Sequence, residues 1–196
     1  MLYRDLIDRY AIKNEYALRF FIKRVMTGDT KELTISRIFN DLKSQNIKLS
    51  KDLLYDFSLY LQDIYFTTPV ANYHASIKGV KKIYLLDRSF LRLLQRSDDI
   101  GQRLENTIFS HIRKKYEDIF FLRTRRGEID FFIPSKTLFI QVTKELSYEN
   151  EDREIRPLLD QEGERWCILM DRTNRDIEKK YPEIQFISVI DYLLEA

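Results

Sequence analysis

The sequence predicts a mixed α/β (α+β) chain in two parts: helices closed by a two-stranded ribbon, then a mixed β-sheet flanked by helices. Three observations carry this expectation. Apolar residues recur at helical spacing through three successive segments before residue 65. The pattern then becomes β-rich at residues 65–70 and again at 82–86. Beyond residue 98 the predicted order is α-β-β-β-α-β-β-α, which suits a sheet covered by helices.

Residues 1–14 read as a short lead-in. Residues 15–26 place Leu18, Phe21, Ile22 and Val25 on one helical face, and Gly28 stops that helix. Residues 34–45 repeat the pattern with Ile35, Ile38, Phe39 and Leu42. Ser50 is an N-cap for a third helix lined by Leu53, Leu54, Phe57, Tyr60, Leu61 and Ile64. A polar loop containing Gly79 joins the two ribbon strands. Three helices and a ribbon outline a winged helix, whose third helix is the recognition element in a DNA-binding member.

A linking helix is expected at 88–95, and residues 101–116 form a longer one with Leu104, Ile108 and Ile112 inward and Glu105 near the same side. Strands follow at 119–123, 128–133 and 137–143, then a helix at 151–159 that Pro157 kinks or ends. Two short strands, 166–170 and 184–187, precede a closing helix at 190–194. The expected organisation is a winged-helix-like domain over 1–87, a linker over 88–97, and the sheet domain over 98–196.

Composition narrows the function classes. With 33 basic and 31 acidic side chains in 196 residues, bulk charge does not announce nucleic-acid binding, so phosphate contacts must come from local patches. No apolar run approaches the roughly 18 residues that cross a bilayer, and the charged start lacks a secretory signal, so a cytoplasmic protein is expected. Cys167 is the only cysteine and His74 and His111 the only histidines, which excludes an intrachain disulfide and a Cys- or His-rich metal site. Cys167, between Trp166 and Ile168, reads as core.

The chemistry-bearing stretch is Arg126-Gly127-Glu128-Ile129-Asp130-Phe131-Phe132-Ile133, followed by Leu138-Phe139-Ile140-Gln141-Val142-Thr143-Lys144. It reads as a hairpin with acids in its first strand and a polar pair late in its second. Together with Arg153-Glu154-Ile155-Arg156-Pro157-Leu158-Leu159, it resembles the PD-(D/E)XK nuclease-like domain at the tail of a group of prokaryotic AAA+-type ATPases. The N-terminal half resembles the winged-helix segment preceding that tail, with Asp5-Leu6-Ile7-Asp8-Arg9-Tyr10 as the junction. No Gly-x-x-x-x-Gly-Lys-Ser/Thr loop is present, so ATP binding through a P-loop is not expected.

The resemblance implies a site. The family's helix acid matches Glu105, its strand acid matches Asp130, and its Glu-x-Lys falls on Gln141 and Thr143. In a working site carboxylates hold Mg²⁺, the metal generates hydroxide, and the Lys stabilises transition-state charge. Here the Glu is an amide, and Lys144, one residue late, points to the other strand face. A missing preorganised cation costs roughly 100-fold or more in rate.

Two readings follow. The favoured one is a non-catalytic interaction module, the tail of an AAA+-type ATPase family protein, with a protein partner, weak nucleic-acid binding and no cofactor. The other is a Mg²⁺- or Mn²⁺-dependent DNA endonuclease. It would use Glu105, Asp130 and Gln141 as ligands, and Lys144 or an Arg of the 123–126 turn in place of the missing Lys. Candidate phosphate contacts are Arg123, Arg125 and Arg126 at that turn and Lys78, Lys81 and Lys82 in the ribbon. Against DNA, the third helix exposes Asp52, Asp56 and Asp63 with only Lys51 and nearby Lys48 opposing them.

Overall fold

Two of the N-terminal helices, over residues 15–27 and 51–63, start where a short polar side chain takes an orphan backbone N–H. Asn14 Oδ1 accepts from the Ala17 N–H at 3.0 Å, and Ser50 Oγ accepts from the Leu53 N–H at 3.2 Å. The computed structural model describes residues 2–28, 30–75, 80–86, 99–171 and 175–194. The expected helix at 88–95 and the ribbon's Lys78 and Gly79 lie outside these residues. The chain divides into two units, Met1–Pro69 with Val80–Gln95, and Val70–Gly79 with Arg96–Ala196.

The first unit runs α1 (Leu2–Tyr10), α2 (Glu15–Thr27), β1 (Glu32–Leu33), α3 (Ile35–Ser44), α4 (Lys51–Asp63), β2 (Thr67–Ala71) and β3 (Lys81–Leu85). Leu18, Phe21, Ile22 and Val25 of α2 meet Ile38 and Leu42 of α3 and Leu54, Phe57 and Leu61 of α4 in one apolar core. Phe21 and Phe57 pack edge to face at 5.9 Å, a favoured aromatic geometry. The strands form a sheet in the order β1-β3-β2, with Glu32 opposite Lys82 and Leu33 opposite Lys81.

Three local features differ from expectation. The lead-in is a helix, because Leu6 buries against the core while Arg4 and Asp8 pair at i,i+4. The two-residue β1, too short to show a period of its own, makes the ribbon three-stranded. Residues 70–79 group with the second unit. Within it, the Tyr73 N–H donates to the Phe121 carbonyl at 2.9 Å, and the Tyr73 ring sits on Phe120 and Phe132.

The second unit continues α5 (Ile100–Ile112), β4 (Phe120–Thr124), β5 (Gly127–Ile133), β6 (Leu138–Thr143), α6 (Glu151–Leu159), β7 (Glu164–Leu169), α7 (Arg175–Lys180), β8 (Gln185–Ser188) and α8 (Val189–Leu194). Its five strands lie in sequence order, antiparallel from β4 to β6 and parallel from β6 to β8. The parallel pairs need crossovers, which α6 and α7 supply. The sequence pattern gave no sign of the six-residue α7, whose Ile177 is nonetheless core. Thr137 belongs to no strand: at φ +48° it ends a 3-10 turn over Pro134–Lys136 that joins β5 to β6.

Alternation along the strands gives the sheet two apolar faces. Phe132 and Phe139 stack at 4.5 Å on the face covered by Ile155 and Leu158 of α6. Phe131, on the opposite face, stacks on Phe109 of α5 at 6.2 Å. Pro157 sits inside α6, in its last turn, where the helix ends two residues later. Among the described residues no helix is long and apolar enough to cross a membrane.

Gly163 immediately precedes β7 at φ +147°, where an added Cβ would stand 2.3 Å from the Thr137 carbonyl oxygen. That oxygen also accepts the Glu164 N–H at 3.0 Å and so cannot move aside. Gly163→Ala is therefore expected to lower unfolding stability by about 2–3 kcal/mol, read from urea denaturation midpoints.

Candidate functional site

The site grows from a defect in the central sheet. Between β4 and β5 the register shifts, with Phe120 opposite Phe132 but Leu122 opposite Ile129, so β5 carries one extra residue around Asp130. On its other side, β5 pairs with β6 from Ile133–Leu138 to Phe131–Ile140 and no further. Where the ladder stops, the Asp130 carboxylate takes over: its Oδ2 accepts the Val142 N–H at 2.9 Å. A side chain thus supplies the acceptor that the neighbouring strand no longer provides.

This opening places Asp130 beside Gln141 and, through in-register parallel pairing, beside Cys167 of β7. Glu154 of α6 comes down onto the same face. Asp130, Gln141, Thr143 and Glu154 are all less than a tenth exposed. Gln141 Nε2 donates to Glu154 Oε2 at 2.7 Å, and Arg153 Nε donates to Glu154 Oε1 at 2.9 Å. Both oxygens of the buried carboxylate are therefore held by donors. Gln141 Oε1 is buried and accepts no hydrogen bond among the described residues.

The second polar position of β6 does not supply a cation. Thr143 Oγ1 donates to the Glu145 carbonyl at 3.1 Å. Lys144 lies just past the strand end, exposed, and its ammonium makes no hydrogen bond or ion pair among the described residues. Cys167 is fully buried, and burial, then the charges of Glu154 and Asp130, hold its thiol far above the usual thiol range. It stays protonated and does not act as a nucleophile at ordinary pH.

Of the expected ligands, Asp130 and Gln141 do come together. Glu105 lies half-buried on α5, the helix that packs on the Phe131 face of the sheet, whereas Glu154 and Gln141 meet on the other. Among the described residues no group of three or more His, Cys, Asp and Glu side chains stands as a metal ion would need. Glu154 and Arg153 were not anticipated as site residues. Their signal was in the sequence: Glu151, Glu154, Ile155 and Leu158 fall on the inward face of α6, an unusual place for two acids. Glu151 is likewise buried, and accepts from Lys180 Nζ of α7 at 2.6 Å.

The expected phosphate contacts are mostly engaged elsewhere. Arg123 pairs with Glu128 at 3.7 Å, and Arg126 with Asp160 at 3.2 Å. Arg125, at the tip of the turn, is exposed and makes no ion pair among the described residues. In the ribbon Lys81 is half-buried, and Lys82 is only 4% exposed, so the Lys82 ammonium is not presented to a phosphate backbone. His111 packs edge-on to Tyr192 at 5.3 Å, and burial, with Lys115 and Lys114 nearby, lowers its pKa.

Comparison with known proteins adds one relative. The chain is 30% identical, over 164 residues and 80% of its length, to an uncharacterized protein of Methanocaldococcus jannaschii. The matched stretch spans only 37% of that protein. No protein-family profile matches the chain, and no solved structure matches it.

The buried network makes two expectations. Gln141→Ala strips one donor from a buried carboxylate and should cost about 1–3 kcal/mol in unfolding free energy, measured by denaturant titration. Cys167 should resist thiol reagents at pH 8.5 in the native protein and react at once in denaturant, which mass spectrometry of the labelled chain would record.

Proposed function

We propose that this chain is a non-catalytic interaction module, the winged-helix and PD-(D/E)XK-like tail of an AAA+-type ATPase family protein, with a nuclease-type pocket closed by its own side chains. The observation that carries this reading is the hydrogen bond from Gln141 to Glu154, backed by Arg153. A metal nuclease needs carboxylate oxygens converging on a cation, with a second cationic group aimed at the phosphate. Here an amide N–H and a guanidinium do what the cation would do for Glu154. A glutamate at position 141 would put two carboxylates within 3 Å, which requires a shared proton or a metal ion; glutamine requires neither. Thr143 and exposed Lys144 leave no preorganised cation at the second position.

The rest of the chain fits that reading. The order helix, three-stranded meander, helix, parallel strand supports a PD-(D/E)XK-like core, and α2-β1-α3-α4-β2-β3 supports a winged helix. More than half of the archaeal relative lies outside the match, in keeping with a domain that accompanies other parts of a longer protein. Cytoplasmic protein contacts are its proposed work, and any nucleic-acid contact is weak, because two of the three Arg of the 123–126 turn are held by carboxylates.

Calorimetric titration with Mn²⁺ is expected to give no site binding, and supercoiled plasmid should survive incubation with the protein and Mg²⁺ or Mn²⁺. Binding that vanishes in Asp130→Ala, accompanied by nicking, would establish the metal-dependent endonuclease instead. Gln141→Glu is expected to gain Mn²⁺ binding that depends on Asp130, since it restores the like-charge crowding that a cation relieves.

A further inference from the structure

We infer that the outward face of α4 docks a basic, amphipathic helical segment of a partner protein. The inference rests on reading the chain as a contact module, but on a surface of the other unit. The inward face of α4 is accounted for, since Leu54, Phe57 and Leu61 are core. Its outward stripe, at i, i+3, i+4, i+7 and i+11, is Asp52, Tyr55, Asp56, Leu59 and Asp63, all exposed. Tyr55 is 53% exposed and Leu59 55%, so two large apolar side chains stand in solvent one turn apart.

The core gains nothing from this stripe, and the helix gains only from Asp52, which its first turn favours through the helix dipole. Asp52 and Asp56 stand at i,i+4, a like-charge spacing that weakens a helix. They make no hydrogen bond or ion pair among the described residues. Asp63 lies in the last turn, at the negative end of the helix dipole, and among the described residues takes only a 3.4 Å hydrogen bond from the Tyr10 hydroxyl. The one basic residue of α4, Lys51, is turned toward α3: its ammonium donates to Ser36 Oγ at 3.2 Å and lies over the Phe39 ring. The stripe is thus an apolar pair bordered by three carboxylates with no cation among them.

That chemistry selects its occupant. Nucleic acid and anionic lipid are repelled by the carboxylates. A second copy placing the same face against itself would bring acid onto acid. A helix with apolar anchors for Tyr55 and Leu59 and Lys or Arg beside them satisfies both the apolar and the charged parts.

The probe is a fluorescent amphipathic helical peptide of about 15 residues built from Leu and Lys, with a Leu/Glu peptide as control. Anisotropy should show that the full chain binds the Leu/Lys peptide and not the control, more weakly as salt rises. Leu59→Ser, and separately Asp52→Asn with Asp56→Asn, should each weaken binding about ten-fold, while Tyr16→Ser on α2 should not. Circular dichroism verifies that each variant is folded. No binding of the Leu/Lys peptide, or equal binding by all variants, overturns the inference. So does a dimer in sedimentation that Leu59→Ser dissolves, or a DNA duplex released by the same substitutions. Mn²⁺ titration of the same samples reports on the closed pocket separately: metal bound at Asp130 beside an intact peptide site would overturn only the pocket reading.

Discussion

A carboxylate buried to the degree of Glu154 is tolerable only if its charge is answered, and much of the second unit is arranged around that requirement. Leaving such a charge without donors costs several kcal/mol, comparable to the whole stability of a small domain. Gln141 answers it from the central strand and Arg153 from the helix itself, so α6 is pinned to β6 by a polar contact as well as by Ile155 and Leu158. Burial first, and then the same charge, keeps the neighbouring thiol neutral. The network is a structural clasp between β6 and α6.

The bulge near Asp130 makes room for the clasp. A regular ladder would carry β5 alongside β6 to the end and leave no gap on the Gln141 side. The pairing ends at Phe131–Ile140, beside the extra residue, and Asp130 accepts the Val142 N–H that the ladder leaves. Asp130 therefore has a structural duty that would remain whether or not a metal ever bound there. The amide at 141 is in turn satisfied by Glu154 on its donor side.

The two units use charge differently. In the second, acids are drawn inward and each meets a donor, as Glu151 meets Lys180 and Glu154 meets Arg153 and Gln141. In the first, the buried residues of α2, α3 and α4 are all apolar, and acids are left outside on α4 without basic partners on the same face among the described residues. The first arrangement stabilises the fold; in the second only Asp52, in the first turn of α4, is favoured by the helix dipole.

Much of the fold was legible because its elements announce themselves locally. Helices α2, α3, α4 and α6 show clear apolar periodicity or caps, and the β4–β5–β6 meander follows from alternation and the Arg125–Arg126 turn. What escaped was short or context-dependent: two-residue β1, six-residue α7, and a first helix whose apolar face shows only against its neighbours. The site divides the same way. Asp130 and Gln141 could be named from their strands, since side-chain alternation is a property of sequence. That Glu154 and not Glu105 would meet Gln141 depended on which face of the sheet each helix covers. That Lys82 would be buried depended on its place in a central strand of the three-stranded sheet. The sequence by itself determined the elements and the residue types; the tertiary structure decided which charges share an interior, because only packing brings residues distant in the chain within hydrogen-bonding reach.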